Sequence, residues 1–310
     1  MMRRLLSETG QAVVASTIFL TALLGVAAFV LDVGSWYRAD RDTQLAADSA
    51  ALAGAQALPY DPGQAAALAV TYADENRGGL APGGIAFGSK LVANDTISVA
   101  LTRAAPGFFA RVFSIDSVTV GAKATARAGN ISQARWVAPI VVNEKHPKLI
   151  GGGCPCFGQA TELDYYHIKM NGSQTDGAGS FGFINLIQGS GNPGTSDLGQ
   201  WIQKGFDAYM PIGTYDARTG NPFSSSHIKD SLDARIGTEI LFPVYRKIVG
   251  TGSNAQYQII GWVGFHLTGI NVQGSNEKLF GYFTQVIWDG IQSETSGEPD
   301  YGVRSIELVD

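Results

Sequence analysis

From Thr9 to Leu31 the chain carries no charged residue. Wound as an α-helix at about 1.5 Å per residue, that run is roughly 34 Å long, enough to cross a hydrocarbon layer of about 30 Å. Trp36 and Tyr37 follow where an interfacial aromatic belt would sit, and Arg38 stands just beyond them. A cleaved secretory signal normally has an apolar region of only about 7–15 residues. The longer run predicts a retained single-pass anchor: a cytoplasmic N-terminus over residues 1–8 and a transmembrane helix over 9–35. Arg3 and Arg4 before the span and Arg38 and Arg41 after it balance the positive-inside count. The N-terminal amine and the short leading segment favour an N-inside orientation, so the main body is expected outside the membrane, facing an oxidising space.

The remaining residues are compatible with a soluble body. Of 310 residues, 45% are hydrophobic, enough for a substantial core and two soluble units. Charged residues make up only 16%, and 39 glycines far exceed the ordinary share of about 7%. That excess predicts β-rich, turn-rich architecture instead of a helical bundle. The net charge is −5 with no run of basic residues, which argues against nucleic-acid binding, since phosphate neutralisation needs clustered Lys and Arg.

The helix is expected to continue past the span, with no Pro until Pro59 and only Gly54 between Trp36 and Leu58. Leu45, Ser49, Leu52, Ala53 and Gln56 recur at helical spacing, while Ala46, Ala50, Gly54 and Ala57 form a ridge of small residues. Inside the span, Thr17, Thr21 and Gly25 repeat small residues every four positions. Such ridges let another backbone approach closely, either within the same domain or on a second protein. A second helix is announced by Asp61 as N-cap, Pro62 at the first position and Gln64 at capping-box spacing, with Ala65, Leu68, Ala69 and Tyr72 on one face. "DTISVALTR" and "DSVTVGAKATARA" alternate with period two and read as strands, with "PGFFARVF" as one or two helical turns between them.

"GNISQARW" is a plausible boundary, since from Trp136 the composition shifts to Gly, aromatic and β-branched residues. Strands are predicted at 137–142, 182–187, 239–249, 256–268 and 280–288, and helices near 197–206 and 227–236. One stretch here resembles a nucleotide-binding fingerprint: the apolar run Phe181–Ile187, then Gly189-Ser-Gly191-Asn-Pro-Gly194, then a helix and an apolar run ending at Asp216. Three features oppose it. Thr195 and Ser196 look like an N-cap, so the helix starts after the third glycine instead of containing it. Pro193 removes an N–H that should face pyrophosphate. The sequence beyond Arg235 lacks further strand–helix alternation. The glycines are therefore read as a turn, and no nucleotide is expected.

Other constellations are equally weak. Ser180 in Ala178-Gly-Ser-Phe-Gly182 misses the nucleophile elbow because a polar loop precedes it and a strand follows. His146, His167, His227 and His266 show no metal spacing, and His266 reads as a satisfied core or groove histidine. Cys154 and Cys156, the only two cysteines, suggest a tight disulfide ahead of two free thiols, with a metal or redox role third. Asp216-Ala-Arg-Thr-Gly-Asn reads as a β-turn before a calcium loop. Asp32, at the far edge of the span, is either a snorkelling interfacial carboxylate or a pairing site for a partner subunit's basic group. No catalytic residue, cofactor or metal site is expected.

Gly10-Gln11-Ala12, the apolar span, Asp32-Val33-Gly34, Tyr37 and Leu45-Ala46-Ala47-Asp48-Ser49-Ala50-Ala51-Leu52-Ala53-Gly54-Ala55 resemble the N-terminal region of the TadE/TadG-like family of tight-adherence (Flp-type, type IVc) pilus-assembly proteins. The strand, short-helix, strand unit up to Ala128 is similar to that family as well, and the part from Arg135 onward resembles the extracytoplasmic extension of some bacterial members. The resemblance implies an α+β chain with a long N-terminal transmembrane helix continuing into a small pilin-like α+β unit over 36–130. A β-rich extracytoplasmic domain with a few short helices would follow over 135–310. It also implies a minor-pilin-like or assembly component of the bacterial cell membrane, without enzymatic activity, whose partners are pilus or secretion-machinery membrane proteins.

Two family features are absent. Related pseudopilins carry Glu at the fifth position after the processed Gly, and counting from Gly10 that position is Ala15. The D-x-S-x-S metal-adhesion sequence of larger members does not occur either. Helix packing is thus assigned to Thr17, Thr21, Gly25, Asp32, Ala46, Ala50, Gly54 and Ala57. The alternative is a stand-alone surface-anchored binder of polysaccharide or protein, using aromatics such as Tyr165, Tyr166, Trp201, Tyr209 and Trp262.

Overall fold

The long uncharged run and its alanine-rich continuation form one helix, α1, Glu8–Ala55. The structure, a computed structural model, describes residues 8–76, 78–165, 180–187, 189, 191–220, 222–272, 277–297 and 299–309. Arg3, Arg4, Tyr166 and His167 lie outside the described residues. The chain divides into two compact units, Met1–Arg127 with Glu307–Asp310, and Ala128–Ile306.

In the first unit, α1 ends where the N–H groups of Gln56, Ala57 and Leu58 turn to carbonyls three residues back, at 3.2, 3.2 and 3.1 Å. Ala57, expected on the helical ridge, therefore sits in the turn beyond it. Helix α2, Pro62–Glu75, opens as its punctuation predicts, with the Asp61 carboxylate accepting the Gln64 N–H at 2.8 Å. Its buried face is Ala65, Ala69 and Ala73. Tyr72, expected on that face, is exposed instead, because the side turned to α1 has room for methyl groups only.

Strands β1 (Gly79–Gly88), β2 (Thr96–Pro106) and β3 (Ser117–Ala134) are antiparallel, with β2 in the middle. On β2 the period-two alternation buries Ile97, Val99 and Leu101 on the side where α1 packs. Ser98 points the other way, its hydroxyl 2.7 Å from that of Thr125. A sheet with one face covered needs this alternation, which is why β2 is readable from sequence. β1 is not, because "GLAPGGIAFG" has the composition of a loop, and pairing with β2 makes it a strand.

The remaining strands are β4 (Ile140–Asn143), β5 (Ala160–Tyr165), β6 (Ser180–Phe183), β7 (Met210–Pro211), β8 (Gly213–Asp216), β9 (Glu239–Val249), β10 (Gln256–Asn271), β11 (Lys278–Thr284), β12 (Val286–Ile287), β13 (Gly290–Gln292) and β14 (Val303–Leu308). They belong to the second unit, except that Glu307 and Leu308 at the end of β14 fall in the first. Helices α3 (Thr195–Lys204) and α4 (Ser226–Asp233) pack together.

Strands pair in the order β11-β5-β6-β4-β9-β10-β8, and β10 also pairs with β11, so six of them close a ring. The long β10 makes closure possible. Its first part pairs with both β9 and β8, and Gly264 to Asn271 pair with β11 from Thr284 to Lys278. The β4–β9 and β5–β6 contacts are parallel; the other pairings of the ring are antiparallel.

The core of this unit includes Tyr165, Phe181, Phe183 and Phe223, whose ring centroids lie 5.1–6.1 Å apart at tilted or edge-on angles, as aromatic quadrupoles prefer. The architecture is thus mixed α+β: a long N-terminal apolar helix followed by a β-rich region with a few short helices.

Candidate functional site

Among the described residues one helix, over Gly10–Ala55, is long and apolar enough to cross a membrane. Its side chains from Gly10 to Leu31 are exposed apart from a half-buried Ala28. Within that stretch Thr17 and Thr21 donate their hydroxyls to the carbonyls of Val13 and Thr17, each at 2.8 Å, so their polar atoms are satisfied inside the helix. Nothing lies within 4 Å of a Cβ built on Gly25. Thr17, Thr21 and Gly25 therefore form a smooth stripe that the described residues leave uncovered.

Directly after the apolar run the helix changes character at Asp32, which is only 3% exposed. Its carboxylate accepts the backbone N–H of Phe108 at 2.8 Å, of Phe109 at 3.0 and 3.2 Å, and of Ala110 at 2.5 Å. These amides open the 3₁₀ turn Ala110–Phe113, where N–H groups have no carbonyl of their own to bond. Trp36, one helical turn further on, donates its indole N–H to the Pro106 carbonyl at 3.2 Å. Asp32 is therefore neither a snorkelling carboxylate nor an open site for a partner's basic group. It holds the loop between β2 and β3 against α1. Sequence reasoning missed this contact because the partners lie more than seventy residues away and are backbone atoms, which no residue type announces.

The alanine ridge is also used within the first unit. Ala46, Ala50 and Gly54 are buried against α2 and β2. A Cβ at Gly54 would stand 2.7 Å from Ile97 Cδ1, 2.9 Å from the Ala65 carbonyl oxygen and 3.2 Å from the Ala69 Cβ. Gly78 approaches from the other end, where a Cβ would lie 3.4 Å from that of Ala46. The small residues let α1 and α2 come close over the sheet, so this part of the ridge packs on its own domain. Leu45, on the opposite side of α1, is exposed.

Residues 10–57 match the family model of the Flp pilus-assembly TadE/G-like proteins. The match covers the apolar stretch, Asp32 and the alanine ridge as one continuous segment. No curated protein and no solved structure matches the chain. The Tad-like segment and the membrane-capable helix together point to a membrane-anchored, pilus-assembly-related protein.

Beyond the Tad-like segment, the second unit resolves the remaining motifs. Helix α3 begins at Thr195, and Gly194 is its N-cap; the Asp197 carboxylate accepts the Gly194 N–H at 3.1 Å. Gly189 has φ +73°, a turn conformation. Asn185 holds the loop by donating to the Gly191 carbonyl at 3.0 Å. The later strand β8 pairs antiparallel with β10, and where it meets the end of β6, through Ile184 and Ala217, the bridge is antiparallel too, so the stretch is not a βαβ unit. Loop and Asp216 instead line an open polar cleft of about 550 Å³ with Asn254 and Gln256. Asp216 accepts the Gln256 side-chain amide at 2.8 Å.

Cys154 and Cys156 are joined by a disulfide. His146 is buried, and its Nδ1 accepts the Lys148 N–H at 3.0 Å. Burial lowers its pKa, partly opposed by the hydrogen bond to the Glu162 carbonyl. His266 lies in a groove position, its Nδ1 2.9 Å from Glu239 and its ring stacked on Tyr282 at 4.8 Å. That bond holds the Glu239 carboxyl below its usual range. His227 is exposed at the start of α4. Among the described residues no three His, Cys, Asp or Glu side chains gather as metal ligands. The aromatics Tyr165, Trp201 and Trp262 are buried, and Tyr209 is exposed.

Proposed function

We propose that the protein is a minor-pilin-like or assembly component of a tight-adherence pilus or related secretion machinery, and that it acts by association and not by catalysis. The observation that carries this reading is the stripe of Thr17, Thr21 and Gly25, left bare on a membrane-capable helix within the segment that matches the Tad-like family. In lipid, helices associate through close packing of small residues, since hydrocarbon offers no hydrophobic drive between them. The ridge at Ala46, Ala50 and Gly54 is spent inside the first unit, which leaves the stripe as the face for a pilus or machinery helix.

The N-terminus is cytoplasmic and the chain beyond the span lies outside. The Cys154–Cys156 disulfide supports this orientation, because such bonds persist in oxidising compartments. The stand-alone binder draws less support, since three of the aromatics proposed for its surface, Tyr165, Trp201 and Trp262, are core residues.

Purification of the full chain from detergent-solubilised membranes tests the association. Enrichment of pilus components that is lost in Gly25→Leu is expected, whereas recovery of the protein alone would count against it. Orientation is checked separately with an impermeant thiol reagent on intact cells carrying Val92→Cys, where labelling is expected.

A further inference from the structure

Five large apolar side chains crowd the loop between β2 and β3. Phe108, Phe109, Val112, Phe113 and Ile115 are between 43% and 83% exposed. Single exposed hydrophobics are ordinary, but so many within one short loop mark a surface that meets something apolar. Trp36 holds Pro106 at the upper end, and Asp32 holds Phe108 to Ala110. From Trp36 down to Asp32 the helix descends about 6 Å towards the apolar run. Side chains on a helix also lean towards its N-terminus, so the Asp32 carboxylate and the amides on it lie on the membrane side of residue 32.

The loop is equipped for a medium with few hydrogen bonds to offer. Seven of its backbone donors are satisfied internally. Gly107 donates to Asp116 at 2.9 Å, Val112 to Phe109 at 3.0 Å, Ser114 to Arg111 at 2.9 Å and Ile115 to Ala110 at 3.1 Å. The amides of residues 108–110, which would otherwise be orphaned, are taken by Asp32. Unsatisfied N–H groups are what normally bar irregular backbone from hydrocarbon. Arg111, exposed among the apolar residues, supplies a cation at headgroup height.

From these contacts we infer that the β2–β3 loop is a membrane-seated foot. Its apolar side chains enter the interfacial layer of the leaflet from which α1 emerges, and the Asp32 carboxylate fixes its depth. The occupant is lipid and not a second protein, because the loop is continuous in height with the apolar run ending at Leu31. The inference rests on α1 spanning the membrane. By seating the first unit at a set height on the bilayer, the foot would hold the base of the body while the stripe in the span meets its partner.

The test uses the full chain in phosphatidylcholine–phosphatidylglycerol vesicles with nitroxide labels on Val112→Cys or Phe113→Cys. The native cysteines are disulfide-bonded and do not react. Reference labels go on Val26→Cys in the span and Val92→Cys between β1 and β2. Collision with oxygen and with a nickel chelate is read by electron paramagnetic resonance. Labels at 112 and 113 are expected to resemble the one at 26, oxygen-rich and several-fold poorer in nickel collisions than the one at 92. Nickel access at 112 and 113 equal to that at 92, with position 26 in lipid, overturns the foot alone. Low collision with both reagents overturns it in favour of a protein cover. Nickel access at position 26 itself overturns the spanning reading along with it.

Discussion

Gly54 of α1 lies against the Ala65 carbonyl of α2 so closely that an added Cβ would stand 2.9 Å from its oxygen. The same Cβ would be 2.7 Å from Ile97 on β2, so position 54 is where both helices and the sheet converge. The Tad-like match extends across this point, and the contact explains what its alanine-rich end does in the first unit.

Gly54→Ala is expected to destabilise the first unit although alanine is the better helix former by about 1 kcal/mol. The methyl would press on a carbonyl oxygen held in α2, and backbone yields less than a side-chain tip. Overpacking of this kind costs about 1–3 kcal/mol. Thermal unfolding in detergent should show a lowered transition, larger for Gly54→Val, and an unchanged or raised transition for Gly54→Ala would refute the close approach.

Asp32→Ala should loosen the loop between β2 and β3 without unwinding α1. The amides of 108–110 lose the carboxylate that accepts them and exchange faster with solvent. Asp32→Asn, which keeps one carbonyl oxygen, should fall between. Hydrogen exchange by mass spectrometry on peptides covering 106–116 reads this directly, with peptides from α2 as the unaffected control.

His146 makes the second unit sensitive to acid. The folded pKa is lowered first by burial at 4% exposure, with Lys148 adding to that and the Glu162 carbonyl and Asp164 partly opposing it. Below the unfolded imidazole pKa of about 6.5, the unfolded chain takes up a proton that the folded chain refuses. Stability therefore falls as pH drops below that value, by at most about 1.4 kcal/mol per pH unit, until the lowered folded pKa is reached. Protonation would also set a new N–H at Nδ1 against the Lys148 N–H already bonded there. Chemical denaturation between pH 7.5 and 5 (roughly the range of the free imidazole) should show this slope, and His146→Gln should flatten it.

Phe223→Ala should strike the second unit hard. The ring is fully buried, with Tyr165, Phe181 and Phe183 centroids 5.1–5.6 Å away. A cavity among three rings that cannot collapse costs about 3–5 kcal/mol. Limited proteolysis of the purified protein should show cleavage within 128–306 appearing at lower temperature, while the α1–α2 region keeps its resistance. A variant as resistant as the parent would mean that the aromatic cluster is not where the fold stores its stability.

Much of this molecule is legible one element at a time. The helix over the span, the Asp61 cap of α2, the alternation of β2 and the run at 239–249 all report local physics, a period or a cap readable within a few residues. The elements that resist reading have the wrong composition for what they become. β1 is glycine-rich, and β5 and β14 are short segments that pairing alone turns into strands. The glycine loop shows the opposite failure of local pattern. It imitates a fingerprint in sequence, yet β8 pairs antiparallel with β10 and meets the end of β6 antiparallel as well, where a fingerprint needs parallel strands.

Residue order alone is enough to tell that a long uncharged helix leads the chain, that an alanine ridge follows it, and that a glycine-rich β body comes after. Charge, periodicity and backbone preference act over a few residues and need no partner to be read. It took the folded chain to reveal that the ridge closes on α2, that Asp32 takes up three backbone amides from far along the chain, and that β10 reaches β11 to close a ring. Those outcomes depend on which distant groups arrive within hydrogen-bond or van der Waals distance, and nothing in the residues nearby specifies who the neighbour will be.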